Sequence, residues 1–344
     1  MEVREENGFI AYLKDRLPLV EDAMATYFQP QAADNADLQT YLYKPLCAYT
    51  KNAGKRTRPI ICLLGCEACF GDIHEALRPA CAIENFQTAA LIHDDIADQG
   101  EMRRGEPCMH LTQGTGLAIN CGDLALASVF GDIICHPFSD PYTQTRLLQE
   151  LFFMTSKTIE GQALDLGWVR DGRWDLCEKD YFTMATLKTA HYSCASPLVC
   201  GAIVAGASQD TCDKLREFGL AAGLAFQIQD DYLNIFGDKT SQGKDFMSDL
   251  VEGKRTLLVV YALTQLCDQE KQELIQILDS HTTETKDLMR AAQLLEESGA
   301  RLKVCEYADE LVTKAKQALA SASIDEDAKT ILVSMADYFI ARSK

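Results

Sequence analysis

Proline placement sets the tightest limit on what this chain can fold into. All nine prolines lie at or before Pro197, so residues 198–344 contain no obligate helix breaker. Apolar residues recur at three- and four-residue spacing through 76–98, 117–134, 144–168, 178–195, 211–236, 255–278, 284–297 and 302–320. Strand-like alternation with hairpin turns is absent. Turns are marked by Gly-Asp at 71–72, His-Pro-Phe-Ser-Asp-Pro at 136–141, Asp-Gly at 171–172 and Gly-Asp-Lys at 237–239. The pattern predicts an all-α array of antiparallel helices with its site in a central cavity between facing helices. The length alone would allow two domains. No Gly-, Pro- or Ser-rich stretch, charge block or fixed-period repeat marks a boundary, so residues 1–344 are read as a single domain, and 47% apolar residues suffice for one large core.

Asp and Glu total 51 against 33 Lys and Arg, a net charge of −18. A field of that sign repels nucleic acid and anionic membrane, which excludes both as main partners. It also repels any anionic substrate, which would need local cations: grouped basic residues or bound metal. Met1 to Lys14 is polar and charged, without the apolar centre of a signal peptide. The longest uninterrupted apolar run, Leu198–Ala207, covers ten residues, against roughly twenty needed to cross a bilayer. The expectation is a cytoplasmic protein with no integral membrane segment. The fourteen cysteines are scattered, most of them inside apolar helical patterns, and read as reduced small hydrophobes. Cys66 and Cys69 form a CxxC pair, but no second pair completes a structural zinc site.

The segment Leu91-Ile92-His93-Asp94-Asp95-Ile96-Ala97-Asp98 closes a long apolar helix. Asp94 and Asp98 are four apart and share a face, with Ala90 and Phe86 continuing the row below. A solvated face would interleave opposite charges; here three aspartates crowd a helix end whose dipole they oppose. Two like charges about 4 Å apart repel by roughly 1 kcal/mol in water and about 4 kcal/mol at an intermediate dielectric. A hard divalent cation removes that cost. Magnesium suits the spacing, because it takes few carboxylates and keeps positions for phosphate oxygens. The plainer reading is an ordinary exposed helix end. His93 beside the aspartates reads as structural.

A second cluster follows at Phe226-Gln227-Ile228-Gln229-Asp230-Asp231-Tyr232-Leu233-Asn234, where Asp230 and Asn234 share a face and Gln227 lies one turn earlier. Two acid-rich helix ends in an all-α chain suggest facing halves of one polynuclear metal site. Arg103 and Arg104 follow the first cluster, and Lys244 and Lys254 follow the second. Such cations are the complement that a magnesium–diphosphate complex needs.

Together these segments make the sequence resemble the trans-isoprenyl diphosphate synthases, or polyprenyl synthetases, over roughly residues 45–260. The resemblance is carried by Gly54-Lys55-Arg56-Thr57-Arg58-Pro59, Asp94 to Asp98 with Arg103-Arg104-Gly105, Gly161-Gln162-Ala163-Leu164-Asp165 and Lys188-Thr189. Gln227 to Asn234, Gly243-Lys244-Asp245 and Glu252-Gly253-Lys254-Arg255-Thr256 complete it in the family's order. It implies an isoprenoid-synthase fold and a homodimer. The implied activity joins isopentenyl diphosphate to an allylic diphosphate (dimethylallyl, geranyl or farnesyl), giving an all-trans polyprenyl diphosphate.

The resemblance also implies roles. Asp94 and Asp98 would bind two magnesium ions, and Asp230 a third, assisted by Asp231 and Asn234. Asn234 departs from the aspartate usual in the family. Arg103, Lys188, Lys244 and Lys254 would hold the allylic diphosphate. Lys55, Arg58, Gln87 and Arg104 would hold isopentenyl diphosphate, and Thr189 and Gln227 would lie beside the reacting carbons. In the family, bulky aromatics just before the first motif stop growth at farnesyl length. Here Ala90 and Ala89 stand about 6–7.5 Å below Asp94 along the helix, and Phe86 about 12 Å below. A growing tail should pass the alanines and meet Phe86, which predicts a geranylgeranyl product, then longer chains, then farnesyl. A terpene cyclase would leave the Lys55/Arg58/Arg104 set unexplained. A non-catalytic partner subunit would be expected to lack one acidic cluster. A metal phosphohydrolase would want more His ligands than the six in the chain, and a di-iron bundle would want Glu-x-x-His pairs.

Overall fold

The computed structural model describes residues 7–28, 35–52, 54–136, 138, 140–238 and 246–342. In chain order its helices are α1 (Gly8–Met24), α2 (Ala36–Leu38), a π turn over Gln39–Tyr43, α3 (Lys44–Lys51), α4 (Thr57–Ala68), α5 (Ile73–Ala97), α6 (Met109–Gln113), α7 (Thr115–Cys135) and α8 (Pro141–Arg170). Then come α9 (Glu178–Ala185), a π-helical stretch over Thr186–Ala195, α10 (Ser196–Val204), α11 (Gln209–Phe236), α12 (Ser248–Val251) and α13 (Leu257–Gln265). The last four are α14 (Asp268–Asp279), α15 (Thr285–Glu297), α16 (Ala300–Leu319) and α17 (Glu326–Ala341). The all-α expectation holds. Among the described residues the exception is a two-stranded ribbon, β1 (Met102–Arg103) against β2 (Glu106–Pro107).

The chain divides into two compact units. One comprises Met1–Thr155, Ser196–Arg216 and Ser323–Leu332; the other comprises Ser156–Ala195, Glu217–Ala322 and Val333–Lys344.

In the first unit the core is built on α4, where Ile60, Ile61, Leu63 and Leu64 are fully buried. α4 and α10 approach until their backbones touch. A methyl group on Gly65 would stand 2.3 Å from the Leu198 carbonyl oxygen, and one on Gly201 would stand 2.0 Å from that of Cys62. Asp72 caps α5 by accepting a hydrogen bond from the His74 amide at 2.9 Å. α7 lies along α5 and meets it through Ala89, Ile92, Ala118, Cys121 and Ala125. With a mean hydropathy of 1.5, α7 has the length and composition of a membrane span. The run-length reading misses this helix because Asn120, Asp123 and Ser128 interrupt its apolar residues.

The second unit packs around Leu257, Leu258, Val259, Ala262, Leu274, Leu278 and Leu294. The predicted helix over 255–278 is two helices. Cys267 is extended, and its amide donates to Glu270 Oε2 at 3.0 Å, so Cys-Asp-Gln-Glu caps a fresh start at α14. α1, α4 and α17 lie outside the periodic runs.

Candidate active site

In the first unit α5 ends on the first acidic motif. The Asp98 amide donates to the Asp94 carbonyl at 2.8 Å, so the two side chains sit one helical turn apart, both half-buried. Asp95 between them is buried and belongs to the protein. Its Oδ1 accepts from Arg103 Nε at 2.8 Å and Nη2 at 2.5 Å. The ribbon sets up this contact. Arg104 and Gly105 both have positive φ, 54° and 83°, as a two-residue hairpin turn of type I′ requires. The turn directs Arg104 toward α3, where Nη1 donates to the Asn52 carbonyl at 3.1 Å. Burial pushes the Arg104 pKa down. Both arginines, with Tyr49 and Asn52, line a cavity of about 440 Å³.

Lys55 is exposed and Arg58 half-buried at the start of α4. Arg56 between them is not part of a solvated turn. It adopts φ 49° and sends its guanidinium inward, from Nη1 to Glu84 Oε1 at 2.7 Å, from Nε to Glu21 Oε1 at 2.9 Å and from Nη2 to the Thr50 carbonyl at 2.6 Å. Gln87 is buried, and its Oε1 has no hydrogen-bond partner among the described residues. Phe86 and Ala89 are buried, and Ala90 is half-buried. His93 packs on α7, where a methyl on Gly122 would stand 2.3 Å from Nε2, consistent with a structural residue.

In the second unit Lys188 and Thr189 ride on the π-helical stretch. Lys188 Nζ donates to Asp165 Oδ2, on α8. Gly161, one turn earlier, permits that contact, since a methyl there would fall 2.1 Å from the Lys188 amide nitrogen. Burial alone would raise Asp165, but Lys188, Lys254 and Arg255 hold it below the usual carboxylate range. Thr189 Oγ1 donates to Gln227 Oε1 at 2.6 Å, so the two residues assigned to the reacting carbons touch each other. Gln227 Nε2 in turn donates to Asp231 Oδ1 at 2.6 Å, and the Tyr181 hydroxyl donates to Asp231 Oδ2 at 2.7 Å. Burial and then Asp249 push Asp231 up to about 8, against these two hydrogen bonds. Lys254 lies 2.5 Å from Glu252 and 3.5 Å from Asp249. Asn234 holds Ser248 Oγ at 3.0 Å and accepts the Asp249 amide at 3.1 Å. The two residues expected to assist Asp230 are thus engaged by protein groups. Lys244 lies outside the described residues.

Magnesium fits the first motif by donor chemistry. Among the described residues no three His, Cys, Asp or Glu side chains converge to hold a metal by themselves. Two carboxylates one turn apart, completed by phosphate oxygens, match what magnesium accepts.

A sequence profile described as polyprenyl synthetase matches residues 39–295. The chain belongs to the polyprenyl synthetase family. Within that family it is 38% identical to a short chain isoprenyl diphosphate synthase of Methanothermobacter thermautotrophicus over 289 residues, 84% of this chain and 86% of the relative. Its fold matches the geranylgeranyl pyrophosphate synthetase of Pyrococcus horikoshii Ot3 with a TM-score of 0.87 at 28% identity, covering 97% of this chain and 98% of that one. It also matches a geranylgeranyl pyrophosphate synthase of Corynebacterium glutamicum solved with isoprenyl diphosphate and magnesium. There the TM-score is 0.85 at 27% identity, with 98% and 99% covered.

Arg56, Glu84, Tyr181, Asp249 and Arg342 were not assigned from sequence. Glu84 carried a faint signal, as a carboxylate in the buried row of an apolar helix. Tyr181 and Arg342 carried none, because their partners are distant in sequence.

Proposed function

We propose that this polyprenyl synthetase joins isopentenyl diphosphate to an allylic diphosphate and releases an all-trans geranylgeranyl diphosphate. The observation that carries the reading is the division of labour in the first motif. Asp95 is buried against Arg103, while Asp94 and Asp98 stand one turn apart and half-buried. Both motifs serve one reaction, and residues 1–344 are read as one functional domain.

Asp94 and Asp98 would hold two magnesium ions and Asp230 a third, with Arg103, Lys188, Lys244 and Lys254 on the allylic diphosphate. Bound magnesium supplies charge that stabilises the departing diphosphate. Lys55, Arg58, Arg104 and Gln87 hold isopentenyl diphosphate, Gln87 through its Nε2 amide, the end of that side chain able to donate. The allylic carbon–oxygen bond breaks, the isopentenyl double bond attacks the allylic cation, and a new carbon–carbon bond forms. A proton then leaves for the released diphosphate, which restores an allylic double bond. Water must be excluded until then. Thr189 and Gln227, held by Asp231 and Tyr181, supply a fixed polar wall beside the reacting carbons.

A homodimer is part of this reading. It is supported by α7, whose exposed Ile119 and Ile134 give an apolar helix an uncovered stripe. The decisive assay incubates the protein with isopentenyl diphosphate, magnesium and each allylic starter in turn, then separates the products by chromatography. A C20 product that vanishes on chelation and in Asp94→Asn is expected. Release of cyclic hydrocarbon, or turnover without isopentenyl diphosphate, would overturn the reading.

A further inference from the structure

The second acidic motif carries a cation of its own. Arg342, one residue past α17, places Nη2 2.6 Å from Asp230 Oδ1. Surface ion pairs are usually loose. This one is pinned, since the arginine side chain is only 10% exposed, against 43% for the aspartate. The same Nη2 donates to the Phe226 carbonyl at 2.8 Å, and Nε donates to the Phe339 carbonyl at 3.0 Å. The guanidinium lies over the Phe226 ring, 4.0 Å from its centroid, and Gln229 Nε2 donates to the Arg342 carbonyl at 3.1 Å. Asp231 and Asn234 are engaged elsewhere in the protein. Asp230 is therefore the motif's exposed carboxylate, and Arg342 covers it.

We propose that Arg342 is a positioning residue that competes with divalent metal for Asp230, so that this carboxylate takes up metal only together with a diphosphate. The proposal rests on the reading of Asp230 as a metal ligand. A guanidinium in contact with Oδ1 cancels the charge that attracts a dication and repels the dication itself. A metal arriving with diphosphate brings negative charge that offsets the guanidinium and oxygens that can accept its N–H groups. The end of α17 thereby sets the order in which the second motif is loaded.

Mn²⁺, counted by electron paramagnetic resonance on the full-length protein with and without inorganic diphosphate, tests this directly. In the wild type, tight binding that depends on Asp230 should need diphosphate. Arg342→Gln removes the charge and should raise Mn²⁺ affinity without diphosphate by on the order of tenfold or more. Adding Asp230→Asn should erase that gain, and Arg342→Lys should stay near wild type. Unchanged or weaker Mn²⁺ binding in a folded Arg342→Gln protein overturns the proposal, as does Arg342→Lys behaving like Arg342→Gln. Should Arg342→Gln not fold, Phe226→Ala removes the ring beneath the guanidinium and carries the same expectation at smaller size. Loss of the metal-ligand reading looks different: Asp230→Asn alone would then leave the diphosphate-dependent Mn²⁺ intact.

Discussion

Arg56 stands between two residues assigned to isopentenyl diphosphate, yet its guanidinium points into the protein against Glu84. The side chains are 1% and 5% exposed, so neither charge has water to fall back on. Arg56→Met should destabilise the fold by about 3–5 kcal/mol, the cost of stranding a buried carboxylate. Urea denaturation would measure it, and adding Glu84→Leu should recover much of the loss. The turn that carries Lys55 and leads into Arg58 on α4 would also lose its anchor. KM for isopentenyl diphosphate should therefore rise on the order of tenfold while KM for the allylic substrate changes little. Sequence reasoning could assign cations to the two diphosphates, because their motifs name them. It left Arg56 without a role inside the same motif, because charge type and spacing do not say which way a side chain turns. The inward turn appears only in the structure, in the guanidinium's bonds to Glu84 and Glu21.

Among the elements, α5 is both a cap-to-motif strut and a ruler. Phe86 is buried about two turns below Asp94. Phe86→Ala should therefore shift the product distribution beyond C20, read by reversed-phase chromatography, with kcat for the first condensation little changed. An unaltered C20 product would remove Phe86 as the floor. The α4–α10 contact is different in kind. Gly65→Ala forces a methyl into the Leu198 carbonyl and should cost about 1–3 kcal/mol in a melt or urea titration. Either KM should then stay put in the surviving folded fraction. The long helices were legible because hydrophobic period and length agree. The break before α14 was missed because a Cys cap is a weak sequence signal. The π-helical stretch was missed because its residues keep the apolar spacing of the helix around them.

At the level of the whole molecule, the net charge of −18 opposes the approach of a diphosphate to the lysines and arginines proposed to bind it. Raising ionic strength from about 0.01 M to about 0.15 M shortens the screening length from about 30 Å to about 8 Å. The long-range repulsion fades first, while contacts at hydrogen-bond distance persist. The ratio kcat/KM for isopentenyl diphosphate should therefore rise over that salt range, in contrast to a protein that steers its anion by net charge; a steady fall would contradict this. If α7 is the face that pairs two copies, Ile119→Glu together with Ile134→Glu should yield monomers in sedimentation velocity with the helical circular dichroism preserved. Composition foretold the acidic field, and apolar periodicity with proline placement foretold the fold class. Neither could foretell the apolar stripe, which depends on which side of α7 the protein already covers.

Gly161 carries a historical implication. With the Lys188 nitrogen 2.1 Å from where a methyl would go, no single change at this position is silent. A lineage could replace the glycine only after the neighbouring backbone had already been redrawn, and redrawing it would move the lysine. Gly161 therefore answers to the backbone at residues 187–188 and fixes where that backbone, and the side chain it carries, can lie.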